Sequence, residues 1–145
     1  MVAPETISGG ILEGLLVDAA GKPMALRTSR ATRPRYYVSN EDGQRIAATR
    51  IERNVADLFR RLHLAGGAPH DVSKVLRRIV VCRDCLVYQL ERRACVTRWR
   101  AQGLLSARPA SADVLQLLGT WLPREYEVAD VGWVLCLTVR RPRTR

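Results

Sequence analysis

The clearest periodic pattern of apolar residues in this 145-residue chain predicts an amphipathic helix that begins near Ile46. Apolar side chains recur there at helical spacing, with charged residues between them: Ile51, Val55, Leu58, Phe59 and Leu62. Thr49 and Glu52 have the spacing of a capping box at the start of the helix. Gly66 and Gly67 are expected to end it.

Shorter apolar runs and alternating patterns predict three β-hairpins. The first spans residues 11–29, where two apolar runs flank a turn rich in Asp, Gly and Pro, and a strand follows it at 35–39. The second spans residues 78–91 and has Arg83 and Asp84 at its tip. The third lies in the C-terminal segment and turns near residues 130–132.

Three further helical segments complete the predicted fold. They are one or two turns within residues 70–78, a short basic helix around Trp99, and a helix for which Ser111 is the expected N-cap. The expected fold class is therefore α+β, with small antiparallel hairpins or sheets and three to four short helices. We expect a ribbon-like hairpin module at 1–45 and an α+β module at 46–145, which ends in a basic tail.

Charge narrows the classes of partner. The chain carries 24 Lys and Arg residues against 14 Asp and Glu, a net charge of +10, and Lys22 and Lys74 are its only lysines. Arginine's planar donor fork suits phosphate groups and guanine edges, which favours nucleic acid as the partner. Arginine-rich codon usage in a GC-rich genome is the alternative explanation. Without a long apolar run or a signal-like N-terminus, we expect no membrane partner and a cytoplasmic, nucleoid-associated protein.

Cys82 and Cys85 form a C-x-x-C motif within the second predicted hairpin. A zinc site needs about four converging ligands, and a single C-x-x-C supplies two. The residues available to complete it share no regular spacing with the pair: Cys95, Cys136, His63 and His70. Cys82 and Cys85 are thus weak candidate metal ligands, and we expect no metal and no cofactor. Facing each other across the hairpin, the two thiols could be oxidised to a disulfide.

Four segments in succession resemble the C-terminal region of large serine site-specific recombinases. They read GLLVDAAGKPMALRT, RYYVS, RIAATRIERNV and RRIVVCRDCLVYQLERRA, and the resemblance covers about Ile11 to Trp99. It implies a ribbon hairpin that ends in a Tyr-Tyr strand, then a helix with an Ile-x-Ala-x-x-Ile-Glu opening, then an Arg-rich strand pair. Many of those recombinases hold zinc in the ribbon through cysteines, but here the matching stretches read VDAAGK and YYVS. A metal-free ribbon is therefore implied.

The same resemblance implies a protein that is not an enzyme. In the family the catalytic domain, with its serine nucleophile, precedes the ribbon, and this chain starts at the ribbon. The candidate serines Ser8, Ser29 and Ser39 have no His or Asp pattern that would activate them, and no phosphate-binding loop is present. We therefore expect no catalytic residues.

The family's region binds DNA and helps partners recognise one another, so the resemblance implies double-stranded DNA as the partner. We expect a basic loop and the outward side of the long helix to contact it, together with the basic tail. The predicted contacts are Arg27, Arg30, Arg33, Arg35, Tyr36, Tyr37, Arg50, Arg53, Arg60, Arg61, Arg140 and Arg141.

Two other readings stay open. The chain could be a protein-interaction adaptor or inhibitor that docks on a recombinase or nuclease of a mobile element, with Trp99, Trp121 and Trp133 as interface anchors. It could also be the remnant of a truncated recombinase gene.

Overall fold

A computed structural model describes residues 12–28, 35–41, 43–64 and 69–141 of the chain. Within these ranges the chain forms eight strands and four helices, which confirms the predicted α+β class. The strands are β1 (Leu16–Asp18), β2 (Ala25–Thr28), β3 (Arg35–Val38), β4 (Arg45–Ala47), β5 (Leu76–Val81), β6 (Cys85–Glu91), β7 (Glu127–Asp130) and β8 (Val134–Arg140). The helices are α1 (Ala48–Arg61), α2 (Pro69–Val75), α3 (Arg92–Ala101) and α4 (Ser111–Trp121).

The larger sheet has five strands in the order β1-β5-β6-β8-β7. The predicted second and third hairpins are confirmed, since β5 pairs with β6 and β7 with β8, both antiparallel. One row of side chains across the sheet is Leu16, Ile79, Tyr88 and Leu137, and it is buried in the hydrophobic core. The same core contains buried residues of all four helices.

The first predicted hairpin is wrong in its pairing. After β1 the chain turns tightly through a Val17–Pro23 bridge, but β1 then pairs in parallel with β5 while β2 pairs with β3. The Asp18 carboxylate accepts hydrogen bonds from the Lys22 N–H at 2.9 Å and from Ser39 Oγ at 2.8 Å. All three residues of β1 are buried, as parallel strands require, so β1 belongs to the larger sheet and not to a solvent-facing ribbon.

A second, antiparallel sheet consists of β2, β3 and β4 in that order. The predicted module division between residues 45 and 46 lies inside β4, and the β1–β5 pair also crosses it. Leu16 and Tyr37 from the first segment pack in the same core as Ile51 and Leu58 from the second.

The ends of two helices differ from the prediction. The N-cap of α1 is Ala47, whose methyl group cannot accept a hydrogen bond. The predicted capping box does not form, because Thr49 already lies within the helix and Glu52 bonds residues of β3. The helix stops at Arg61, ahead of Gly66 and Gly67, which lie outside the described residues. Ser111 is the first residue of α4 and not its cap; the Asp113 carboxylate accepts the N–H of the N-cap residue Ala110 at 3.0 Å.

Across the described ranges, none of the helices has the length and apolar character needed to cross a membrane.

Candidate nucleic-acid interface

The three-stranded sheet has one face toward the core and one face away from it. Leu26, Tyr37 and Ile46 lie opposite one another in register and belong to, or pack against, the hydrophobic core. Because side chains alternate between the two faces of a strand, the neighbouring row containing Arg27 and Tyr36 lies on the other side of the sheet.

We call Arg27, Tyr36 and Arg45 the outer face of this sheet. Arg27 is directly opposite Tyr36, and Arg45 is opposite Val38, two residues further along β3. Both arginines are exposed, and the Arg45 guanidinium carbon lies 4.6 Å from the centroid of the Tyr36 ring, a cation–π contact. Among the described residues, neither guanidinium forms an ion pair with a carboxylate.

Arg35 and Tyr37, also predicted to contact DNA, lie on the inner face. Arg35 Nη2 is 3.2 Å from Glu52 Oε1, with only 19% of the arginine and 13% of the glutamate side chain exposed. The Tyr37 hydroxyl donates to Glu52 Oε2 at 3.3 Å. Burial, reinforced by the charge of Glu52, raises the pKa of Tyr37 well above its ordinary value, so this phenol stays neutral. Both side chains therefore join the sheet to α1.

The arginines of α1 are on the opposite side of the sheet from the outer face, because α1 contacts the inner face through Glu52. Arg50 and Arg53 are exposed and have no partner within the described part of the chain. Arg60 and Arg61 share the carboxylate of Asp57, at 2.6 and 3.1 Å. Hydrogen bonds from Arg61 and Arg60 hold the pKa of Asp57 below its ordinary value. The structure thus brings Arg60 and Arg61 together at Asp57, but it brings none of the four helix arginines to the outer face.

Arg140 and Arg141, the predicted tail contacts, have different surroundings. Arg140 is exposed at the end of β8, opposite Cys85. Arg141 donates to the carbonyl oxygens of Cys82 at 2.9 Å and Arg45 at 3.0 Å, and to Gln44 Oε1 at 2.9 Å. Arg141 therefore ties the tip of the β5–β6 hairpin to the start of β4, which fixes the backbone that carries Arg45.

Arg30 and Arg33, in the sequence between β2 and β3, lie outside the described residues. Arg45 is a member of the outer face that sequence reasoning missed. Arg45 joins Tyr36 only through the pairing of β3 with β4, which the sequence does not reveal. The strand that carries Arg45 has three residues, too few for a periodic pattern that would predict which face Arg45 occupies.

The cysteine pair lies at the ends of the β5–β6 turn. The Cys82 N–H donates to the Cys85 carbonyl oxygen at 2.9 Å, and both side chains are half-buried. Burial, together with the contact with the Cys85 thiol, raises the pKa of Cys82. Metal binding and thiol exchange both need thiolate, which a raised pKa disfavours. In the described ranges no three His, Cys, Asp or Glu side chains converge as metal ligands would.

The remaining thiols occupy apolar surroundings. Cys95 is buried on α3, where burial raises its pKa to about 12. Cys136, half-buried in β8, has its pKa raised by the same cause. Neither lies where it could complete a site with the hairpin pair.

No protein-family model matches this chain, and no curated protein or solved structure matches it either. The functional interpretation therefore depends on the geometry of the outer face.

Proposed function

We propose that this protein binds double-stranded DNA without cleaving it, through the outer face of the three-stranded sheet. The observation that carries the proposal is the cross-strand grouping of Arg27, Tyr36 and Arg45, two exposed guanidiniums beside one aromatic ring. Guanidiniums provide donors for phosphates and base edges, and β-sheets are an established means of reading DNA grooves.

The spacing of the strands suits a groove. The strands β2 and β4 flank β3, and adjacent strands are about 4.8 Å apart, so Arg27 and Arg45 start from backbones separated by about 10 Å. The major groove of B-DNA is about 12 Å wide. A sheet of this width can therefore face the groove, with Arg27 on one flanking strand and the Arg45 guanidinium held over the central Tyr36 ring.

The charges near this surface are arranged for a polyanion. Elsewhere arginines already have a carboxylate partner: Arg35 pairs with Glu52, and Arg60 and Arg61 share Asp57. The guanidiniums of the outer face have no such counter-charge in the described structure, and the chain's net charge of +10 would attract DNA from a distance. The resemblance of the same segments to a recombinase DNA-binding region favours the same ligand.

Equilibrium binding to a duplex of roughly 20 base pairs, about two helical turns, across a salt series tests the proposal. Each phosphate contact contributes about 0.9 to the log–log slope of affinity against salt, so Arg27→Ala and Arg45→Ala should each reduce its magnitude by about 1. The double variant should show the sum of the two reductions.

Arg53→Ala is the matched control, because Arg53 is also exposed and without a described partner but lies on α1. It should leave the slope close to that of the unaltered protein. A flat salt dependence of the unaltered protein would overturn DNA binding altogether. If Arg53→Ala reduces the salt slope and the outer-face variants do not, the DNA-binding surface would be on α1 and not on the sheet.

A further inference from the structure

The turn between β7 and β8 exposes large apolar side chains. Trp133 is 60% exposed and Val131 56% exposed, on either side of Gly132. The other two tryptophans are used internally: Trp99 is fully buried and donates to the Leu62 carbonyl oxygen at 2.8 Å, and Trp121 packs edge-on against it at 5.6 Å. Trp133 is therefore the one tryptophan of the three whose ring lies mostly in solvent.

The Trp133 turn is held in place by hydrogen bonds. The Asp130 carboxylate, whose side chain is almost fully buried, accepts the Gly132 N–H at 3.0 Å and Arg92 Nε at 2.9 Å. The Arg92 N–H in turn donates to the Trp133 carbonyl oxygen at 3.1 Å. Gly132 has a φ of 99°, a conformation that favours glycine. A turn whose backbone is already ordered loses little conformational entropy when it binds a partner.

An arginine accompanies the exposed ring. The Arg77 guanidinium carbon is 4.6 Å from the Trp133 ring centroid, and Arg77 Nη1 bonds Glu91 Oε1 at 2.6 Å. Tryptophan and arginine are the residues most enriched among those that dominate binding energy at protein interfaces.

The Arg77–Glu91 pair links this turn to a groove of about 790 Å³ along the exposed side of α3, because Glu91 lines that groove. Glu91 lies at its start, and Ala94, Ala101 and the Arg93 and Arg98 side chains line it. Glu91 is already paired with Arg77, whereas Arg93 and Arg98 have no carboxylate partner among the described residues. The groove thus combines a small apolar lining with uncompensated positive charge.

We propose that the Trp133 turn and the α3 groove dock an acidic, amphipathic helical segment of a partner protein. Apolar side chains of that helix would contact Trp133 and the alanines, while its carboxylates would meet Arg93 and Arg98. Nucleic acid would satisfy the arginines but gain little from the alanine lining, which is why a protein helix fits better. This surface is separate from the outer face, and the proposal does not depend on DNA binding.

The probe is a labelled peptide of about 18 residues, about five helical turns, with Leu on one face and Glu on the other. A scrambled peptide of the same composition controls for charge alone, and a Lys-for-Glu analogue tests its sign. Fluorescence anisotropy should show binding of the amphipathic acidic peptide in preference to both. Trp133→Ala should weaken that binding about tenfold or more.

Charge reversal provides a gain of function. The double variant Arg93→Glu and Arg98→Glu should lose the acidic peptide and bind the Lys analogue instead, whereas Arg124→Ala, at an exposed arginine outside the groove, should behave as the unaltered protein. Circular dichroism of each variant establishes that it is folded. Retained DNA binding by Trp133→Ala separates this test from that of the outer face.

Several outcomes would overturn the proposal. If the scrambled peptide binds equally well, or if Trp133→Ala binds the amphipathic peptide undiminished, peptide binding would depend on net charge alone. Displacement of the peptide by a single-stranded oligonucleotide whose own binding requires Trp133 would make the occupant nucleic acid. A dimer in sedimentation that Trp133→Ala dissociates would make it a second copy of this chain.

Discussion

Tyr36 and Tyr37 are neighbours in sequence, yet the three-stranded sheet gives them opposite surroundings. Tyr37 is fully buried on the inner face and bonds Glu52, while Tyr36 is half-buried on the outer face beneath Arg45. The arginines divide in the same way, because Arg35 pairs with Glu52 and Arg27 has no described partner. The arginines and tyrosines that adjoin in the sequence therefore form two separate groups. Arg35 and Tyr37 stabilise the fold, whereas Arg27 and Tyr36 are available to a ligand.

The largest expected effect is the difference in protein stability between replacing Tyr37 and replacing Tyr36. Tyr37→Ala removes a fully buried aromatic side chain, which should lower the free energy of unfolding by about 3–5 kcal/mol. Tyr36→Ala removes a half-buried ring outside the core and should cost about 1 kcal/mol or less. Urea denaturation followed by circular dichroism measures both. Similar losses for the two variants would mean that the outer face is itself packed against something.

The next effect concerns the ion pair that joins the inner face to α1. Glu52→Ala leaves the Arg35 guanidinium largely buried without its carboxylate, and the Tyr37 hydroxyl without its acceptor. We expect a loss of about 2–3 kcal/mol of unfolding free energy.

Glu41→Ala is the matched control for that variant. Glu41 pairs with Lys22 at 3.0 Å, but 53% and 60% of these two side chains are exposed, so its removal should cost about 0–1 kcal/mol. If Glu52→Ala costs no more than this control, the Arg35 pair is a surface contact, and Arg35 becomes available to a ligand after all.

Sequence patterns predicted where the helices and strands lie better than they predicted which strands pair. The amphipathic helix and the two C-terminal hairpins follow from periodicities within short windows, and the structure confirms them. The parallel pairing of β1 with β5 joins residues about sixty positions apart, and no local pattern encodes it. The tight turn at Asp18 would suit a hairpin equally well, and only the pairing of β1 with β5 and of β2 with β3 excludes one.

The sequence predicted which residue types form the candidate site, but not which of those residues lie together on one face of the sheet. Arginine enrichment around β3 was visible, but RYYV has no polar–apolar alternation to say which tyrosine faces the core. The register with Ile46 decides it, since Tyr37 and Ile46 are opposite each other and both are buried. Whether the sequence's other arginines pair internally depended equally on the fold, as Arg35 and Arg141 illustrate.

A smaller effect should be seen in DNA affinity at fixed salt. Tyr36→Ala removes the ring that holds the Arg45 guanidinium in place, and ordering a freed arginine on binding costs about 0.5–1.5 kcal/mol, so affinity should fall about twofold to tenfold. Because no charge is lost, the salt slope should not change. Tyr36→Phe keeps the ring and should bind as the unaltered protein does. A loss in Tyr36→Phe equal to that in Tyr36→Ala would assign the contribution to the hydroxyl instead.

The smallest effect is expected at Arg60, which is exposed, as Arg45 is, but already has a counter-charge. Removing it leaves Asp57 paired with Arg61, so Arg60→Ala should change stability by about 0.5 kcal/mol or less and leave the salt slope of DNA binding unchanged. Arg45→Ala in the same titration should reduce the slope's magnitude by about 1. If both variants reduce the slope equally, an arginine's contribution to DNA binding would depend on its charge and not on its position. DNA would then contact α1 as well as the sheet.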